Sequence, residues 1–192
     1  MSRPLEPDDR ESWWVLRAQA GDREALERLL ESIAGPLGAY LARLAGEAAL
    51  GEDLLQEALL QIYRKLGWLE EPRLFRPWAF RLASRLAWKR LRRERRLAAP
   101  LEDNDSALEL LAAPDTPEPG SSEVLAALPR LVAELSPASR SVLALHFQEE
   151  MTLTEVAGVL GIPEGTVKSR LAYGLARLRQ QLGRGLSERS SG

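Results

Sequence analysis

One stretch divides this chain before any helix is counted. Between Ala98 and Ser122 stand Asn104, Asp105, Pro114, Pro117, Pro119 and Gly120. These residue types break helices and strands and do not build a packed core, so the stretch reads as a linker over 98–122. A short helix around Ala107 to Ala113 is compatible with its composition. The remainder falls into a first domain of about 10–97 and a second of about 123–184. Each is small for an independent core, which points to close-packed helical bundles. Of the 192 residues 45% are hydrophobic and 28% charged, the balance of a folded chain.

Apolar spacing supports an all-α fold. In the first domain Asp22 is placed to cap a helix through Leu26, Leu29, Leu30 and Ile33, and Gly35-Pro36 predicts a break or kink. Leu37, Leu41 and Leu44 continue at helical spacing, and Gly46 and Gly51 bracket a second break. Leu55, Leu59, Ile62, Tyr63 and Leu66 predict the packing stripe of a third helix, with Gly67 placed to stop it. A loop over Gly67 to Pro77 precedes a last helix from about Arg76 to Arg96, whose inner face is Phe80, Ala83, Ala87 and Leu91. In the second domain Val124 to Leu135 forms one helix, and Ser136 caps another with Pro137 in its first turn. No stretch alternates with period two for long enough to suggest a sheet.

The strongest motif runs from Leu153 to Leu171. Thr152 and Glu155 form a capping box ahead of a short helix, Gly161 supplies the turn, and Pro163-Glu164 opens a longer helix through Val167, Leu171, Leu175, Leu178 and Leu182. This is a helix-turn-helix, with Ala157 small enough for a close approach and Ile162 and Val167 plugging the shared core. The start of its second helix carries Thr166, Lys168, Ser169 and Arg170, the end that enters the major groove in this motif.

Charge is strongly sorted although the net charge is only -2. From Arg76 to Arg96 there are nine basic residues against one acidic; from Leu97 to Pro129 there are seven acidic and no basic; from Thr166 to Arg184 there are five basic and no acidic. Two cationic blocks thus flank an anionic middle, as expected of two nucleic-acid-facing elements. In the first block Arg81, Arg85, Lys89 and Arg92 share one helix face, and Arg93, Arg95 and Arg96 follow. Trp88 lies among them, placed either to stack on an unpaired base or to pack in the core.

Other chemistry is poorly supplied. The chain has no cysteine, which excludes a thiol nucleophile and any cysteine-built zinc site, and its one histidine, His146, sits beside Val142 and Leu145 as a structural residue. No metal site, cofactor site or catalytic acid–base pair is predicted. Of Trp13 and Trp14, one is expected in the core and one at its edge. No apolar run is long enough to span a membrane, and Met1-Ser2-Arg3-Pro4 opens no apolar leader, so a cytoplasmic protein without membrane insertion is expected.

Taken together these segments resemble the extracytoplasmic-function sigma factors, the smallest class of the bacterial sigma-70 family. AQAGDREALERLL resembles the opening of the family's region 2, GEDLLQEALLQIYRKL its region 2.2, FRPWAFRLASRLAWKRLRRERR its regions 2.3 to 2.4, and LSPASRSVLALHFQEEMTLTEVAGVLGIPEGTVKSRLAYGLARLR its region 4. The likeness spans about residues 12–184 in the family's order. It implies a non-catalytic promoter-specificity subunit that binds core RNA polymerase and recognises the -10 and -35 promoter elements, with an anti-sigma factor as a further partner. By the same resemblance Asp53, Gln56 and Glu57 face the polymerase coiled coil. The loop Gly67 to Arg76, with Trp68, captures a flipped -10 base. Arg81, Arg85, Trp88, Lys89, Arg92 and Arg93 hold the melted region. Thr166, Lys168, Ser169, Arg170, Ala172 and Tyr173 fall on the -35 reading helix, and the acidic linker matches the segment threading toward the RNA exit path. The chain departs from the family at Ser84-Arg85-Leu86-Ala87-Trp88-Lys89, where an asparagine and an acidic residue are usual. It departs again at Ala172 to Leu175, where basic residues are usual, and at Leu30 to Ile33, where an aromatic pair is usual. The competing reading is a stand-alone helix-turn-helix regulator whose first domain dimerises. Such a regulator has no need of an acidic helix beside a cationic one bearing Trp88. An enzyme acting on nucleic acid is disfavoured by the lack of a nucleophile or metal cluster.

Overall fold

The computed structural model describes residues 7–97 and 122–190, with side chains from 10 to 93 and from 127 to 182. The helix expected at Ala107 to Ala113 and the side chains of Arg95 and Arg96 lie outside these bounds. The described residues are all-α: α1 (Pro7–Gln19), α2 (Arg23–Ala45), α3 (Ala48–Lys65), two short 3-10 turns (Leu66–Trp68 and Pro72–Leu74), α4 (Phe75–Leu97), α5 (Ser122–Ala133), α6 (Pro137–Phe147), α7 (Leu153–Leu160) and α8 (Glu164–Ser190).

The first half is built on α2, which packs on α1, α3 and α4. Asp22 caps it, its Oδ1 accepting from the Ala25 N–H at 3.1 Å. That bond, together with the neighbouring Arg17, holds the Asp22 carboxyl below its ordinary range. Of the break or kink expected at Gly35-Pro36, the break does not occur, and α2 runs through Pro36. Pro36 has no N–H to offer the carbonyl one turn earlier, a loss of about 3 kcal/mol in a bare helix. The buried series Leu29, Ile33, Leu37, Tyr40, Leu41 and Leu44 continues across it unbroken, so packing outweighs the local cost. The helix ends where Gly46 takes a left-handed conformation, φ 76°. The break expected between Gly46 and Gly51 is there, with α2 ending at Ala45 and α3 starting at Ala48. Gly51 itself has a packing role. It lies inside α3, where an added Cβ would stand 2.7 Å from the Ala42 Cα, so it permits the close crossing of α2 and α3.

The buried stripe of α3 is Leu54, Ala58 and Ile62, continued by Leu66, with Leu55 and Leu59 half-buried. Tyr63, expected inside, is 58% exposed, as is Leu60 at 54%. The helix carries more apolar residues than one face can bury, and the row that meets α2 and α4 is displaced by one residue from the expected one. On α4 the inner face is as expected: Phe80, Ala83, Ala87 and Leu91 are buried. Helix α1 was not anticipated. It contributes the fully buried Val15 and the buried Glu11, with Trp14 packed at the core edge and Trp13 exposed.

In the second half Ser136 caps α6 by accepting from the Ser139 N–H at 3.2 Å. The reciprocal capping box of Thr152 and Glu155 opens α7, and Gly161 closes it at φ 67°. His146 is structural, its Nδ1 2.8 Å from the Met151 carbonyl. Helix α8 crosses α6 closely at Gly174, where a Cβ would meet Leu143 at 3.1 Å. The two halves share one core: Val142, Leu145, Val156, Val159 and Val167 belong to the same apolar cluster as Leu29, Phe80 and Leu91. The seams between them are α2 on α6 and α4 on α7.

Candidate nucleic-acid interface

Three surfaces gather the residues singled out in the sequence. The first is the outer face of α3. Because Leu54, Ala58 and Ile62 turn inward, Asp53, Gln56 and Glu57 are exposed on the opposite side, next to Leu60 and Tyr63. An anionic and amide face with two apolar side chains beside it suits a basic protein partner.

The second surface is the loop between α3 and α4 together with the outer face of α4. Trp68 is 77% exposed. Its backbone is nonetheless held firmly. Gln19 Nε2 donates to the carbonyls of Leu66 at 2.9 Å and Leu69 at 2.8 Å, which flank Trp68 two residues before and one after. Leu69 and Phe75 are buried beneath the loop. Its far end is fastened by Arg76, which donates from two nitrogens to both carboxylate oxygens of Glu11, at 2.9 and 3.0 Å. Gln19, Glu11 and Arg76 were not recognised as positioning residues from sequence. Their partners lie 47 to 65 residues away, and only the packing of α1 brings them together. The indole of Trp68 is thus carried on a pre-ordered turn.

On α4, Arg81, Arg85, Lys89, Arg92 and Arg93 are all exposed. Trp88 is half-buried, which agrees in part with the core packing that was one of the two expectations for it. It packs against the shared core at the seam with α7, and it also lines an open groove of about 670 Å³ with Arg85, Lys89, Arg92, Arg93 and Leu160. On its other side Trp88 and Arg92 line a smaller recess with Leu160, Ile162 and Arg170. Trp88 thus stands between a recess that Leu160 and Ile162 of the second half help to line and a groove that is cationic.

The third surface is the start of α8. Lys168 and Ala172 are exposed one turn apart, and Thr166, Ser169 and Tyr173 are half-buried beside them. Arg170 differs from these. It is half-buried and turned toward Leu91, Arg92 and Ala138, away from the Lys168 and Ala172 face. Lys168 Nζ lies 2.8 Å from Glu164 Oε1, and the other oxygen of Glu164 accepts from Thr154 Oγ1 on α7 at 2.9 Å. These two contacts keep the Glu164 carboxyl below its ordinary range, so it stays ionised. Among the described residues no cluster of histidine, cysteine or carboxylate side chains could hold a metal ion, and no helix is long and apolar enough to cross a membrane.

The two halves each match a known family. Residues 29–97 match the model of Sigma-70 region 2, and residues 131–180 that of Sigma-70, region 4. This chain belongs to the extracytoplasmic-function group of the sigma-70 family. The ECF RNA polymerase sigma factor SigL of Mycobacterium tuberculosis is 34% identical over 181 residues, covering 88% of this chain and 97% of SigL. The probable RNA polymerase sigma factor RfaY of Xanthomonas campestris pv. campestris is 30% identical over 171 residues, covering 86% of this chain, which spans 42% of that protein's length. The fold is also that of the sigma factor RpoE of Bartonella quintana, solved with the anti-sigma factor NepR. The TM-score is 0.64 at 22% identity, over 82% of this chain and 96% of RpoE. As a sigma factor the chain associates with RNA polymerase and recognises promoters, and bond-making belongs to the polymerase.

Proposed function

We propose that the three surfaces divide the work of this sigma factor. The outer face of α3, with Asp53, Gln56 and Glu57, binds core polymerase. Trp68 and the α4 cations Arg81, Arg85, Lys89, Arg92 and Arg93 hold the -10 region, and Trp88 supports them from the seam. The Thr166, Lys168, Ser169, Ala172 and Tyr173 end of α8 reads the -35 element, while Arg170 serves the seam more than the groove. The sorting of the first half into an anionic outer face on α3 and a cationic outer face on α4 carries this reading. One small bundle thereby offers a face for a basic protein and another for phosphates. A stand-alone regulator that dimerised through this half would bury neither face usefully.

The structural units in this reading are a region 2 domain of about 10–97 and a region 4 domain of about 123–184, joined through 98–122. They act in the bacterial cytoplasm, where core polymerase and DNA are found, and require no cofactor. The likeness to RpoE bound to NepR supports an anti-sigma factor as a further partner. Because α7 lies over Trp88, the two halves part along the α4 and α7 seam when both promoter elements are engaged. Run-off transcription with core polymerase, with and without this chain, tests the function. Promoter-dependent transcripts only in its presence are expected, and equal output in both reactions refutes it.

A further inference from the structure

The least expected group on the DNA-facing end of α8 is a carboxylate. Glu164 is the first residue of that helix, and each of its two oxygens is engaged: one by Lys168 at 2.8 Å, one by Thr154 at 2.9 Å. It therefore ties the two helices of the helix-turn-helix together while standing on the same exposed side as Lys168. Near DNA such a group has two effects. It repels phosphates, and it occupies the ammonium of Lys168, so that Lys168 no longer counts as a free cation when counterions are displaced. The pair joins exposed side chains four residues apart, at 61% and 41% side-chain exposure, a class of ion pair that contributes little and is readily exchanged. Thr154 keeps the carboxylate in place when Lys168 leaves it.

We infer that Glu164 is a specificity-determining residue of the -35 reading helix. Its negative charge, and its hold on Lys168, lower affinity for DNA of arbitrary sequence. At a base pair that presents an amino donor in the major groove, the cytosine N4 group above all, the carboxylate accepts that hydrogen bond and releases Lys168 to a phosphate. The same pair of side chains thus weakens wrong sites and strengthens right ones. The inference rests on the proposal that the start of α8 meets the -35 duplex.

The test uses the full chain and its E164Q, K168A and double variants, with a pool of randomised duplexes as the probe. Glutamine preserves an oxygen for Thr154, so the fold is retained, and thermal melting checks this. For E164Q, tighter binding to the unselected pool is expected, with a salt slope steeper by up to about 0.9, so that its advantage shrinks by up to about 3.5-fold between ~50 and ~200 mM salt. In the K168A background the same change leaves the slope where K168A alone puts it. Sequences selected by the unmutated chain carry a cytosine at one position that E164Q no longer selects. A purely structural Glu164 moves neither the slope nor the selected base, and that result overturns the inference. If the unmutated chain shows no salt-dependent duplex binding at all, the -35 reading of α8 falls and the role of Glu164 with it. Normal binding with an unchanged E164Q slope removes only the latter.

Discussion

The two halves of this sigma factor are built to different standards. In α1 to α4 the fully buried side chains include Tyr40, Phe75 and Phe80 along with Leu29, Ile33, Leu37, Leu41, Leu44 and Ile62. Tyr40 and Phe80 meet edge to face at 5.4 Å, and the Tyr40 hydroxyl shares a 2.8 Å hydrogen bond with Ser84. Burial raises the Tyr40 pKa further above its ordinary value, so the phenol stays neutral. In α6 to α8 the fully buried apolar side chains are Leu145 and the smaller Val142, Val156 and Val167, and all belong to the cluster shared with the first half. The cluster that the second half keeps to itself is Leu135, Leu143 and Leu178 with half-buried neighbours. A core of that size does little to order a bundle. The first half is therefore a platform, and the second is a module that borrows apolar surface from it and can give that surface up.

The largest effect expected from breaking this contrast is at Phe80. Its replacement by alanine removes the centre of the platform and should destabilise the chain by about 3–5 kcal/mol in denaturant melts. Both halves should be lost in one transition, because the second leans on the first. A second transition that survived intact, followed by amide exchange in α6 to α8, would show that the second half stands alone. Reversing charge at Asp53 and Glu57 together comes next. Both lie on the outside of the platform, so melting should not change while binding to core polymerase weakens about 10–100-fold in a pull-down titration. Unaltered binding would move the polymerase surface elsewhere, with the exposed Leu60 and Tyr63 as the first alternative.

How much of this could be read beforehand depended on range. Local signals were legible: the Asp22, Ser136 and Thr152 caps, the left-handed Gly46 and Gly161, and the inner face of α4 all rest on contacts within about one helical turn. Where the outcome depended on a distant partner, local rules misled. Pro36 reads as a breaker until α1, α3 and α4 are seen to hold α2 along its whole length. Gly51 bounds the expected break, but its packing against Ala42 shows only once α2 and α3 are seen to cross. The same holds for the candidate sites. Exposed cations and carboxylates on α3 and α4 followed from helix phase. The fastening of the Trp68 turn by Gln19, Glu11 and Arg76 did not, nor did the place of Trp88 at the seam, because both depend on packing between segments far apart in the chain.

Trp88 is where the platform and the module meet, and its replacement by alanine separates their contributions. The seam loses an apolar contact and the groove loses its aromatic wall. If the indole stacks on an unpaired base once α7 has moved away, affinity for a single-stranded -10 oligonucleotide should fall by about 1–3 kcal/mol. If its role is confined to the seam, the halves should part more easily and Arg85, Lys89 and Arg92 become more available. Single-strand affinity should then rise. The sign of the change in an oligonucleotide titration decides between them. Trp68, exposed on its fastened turn, is then the remaining aromatic for base capture.

The smallest effect is expected at Glu149, and it tests whether the seam responds to pH. Glu149 stands between α6 and α7 with its side chain 8% exposed, and its Oε2 lies 3.6 Å from Arg76 on the platform. Burial raises its pKa above the ordinary carboxylate value, and the nearby charges of Arg76 and Arg43 only partly offset this. A carboxyl with a raised pKa in the closed seam binds its proton more tightly there than when the seam is open. The stability it contributes to closure is therefore present at pH below its ordinary value. It is lost as pH rises through the raised one. The ion pair with Arg76 thus does not outweigh the cost of burying the charge. Glu149→Gln keeps the shape and removes the charge, so it should slightly favour closure at neutral pH and flatten the pH dependence just above the ordinary carboxylate range. The chain has no cysteine of its own, so a dye pair on cysteines introduced at exposed positions in α3 and α8 can report the separation of the halves across that range. A parent protein that opens as pH rises, beside a Glu149→Gln variant that does not, is the expected result. Opening of the variant along the same curve would place the titrating group elsewhere on the seam and leave Glu149 as a plain partner of Arg76.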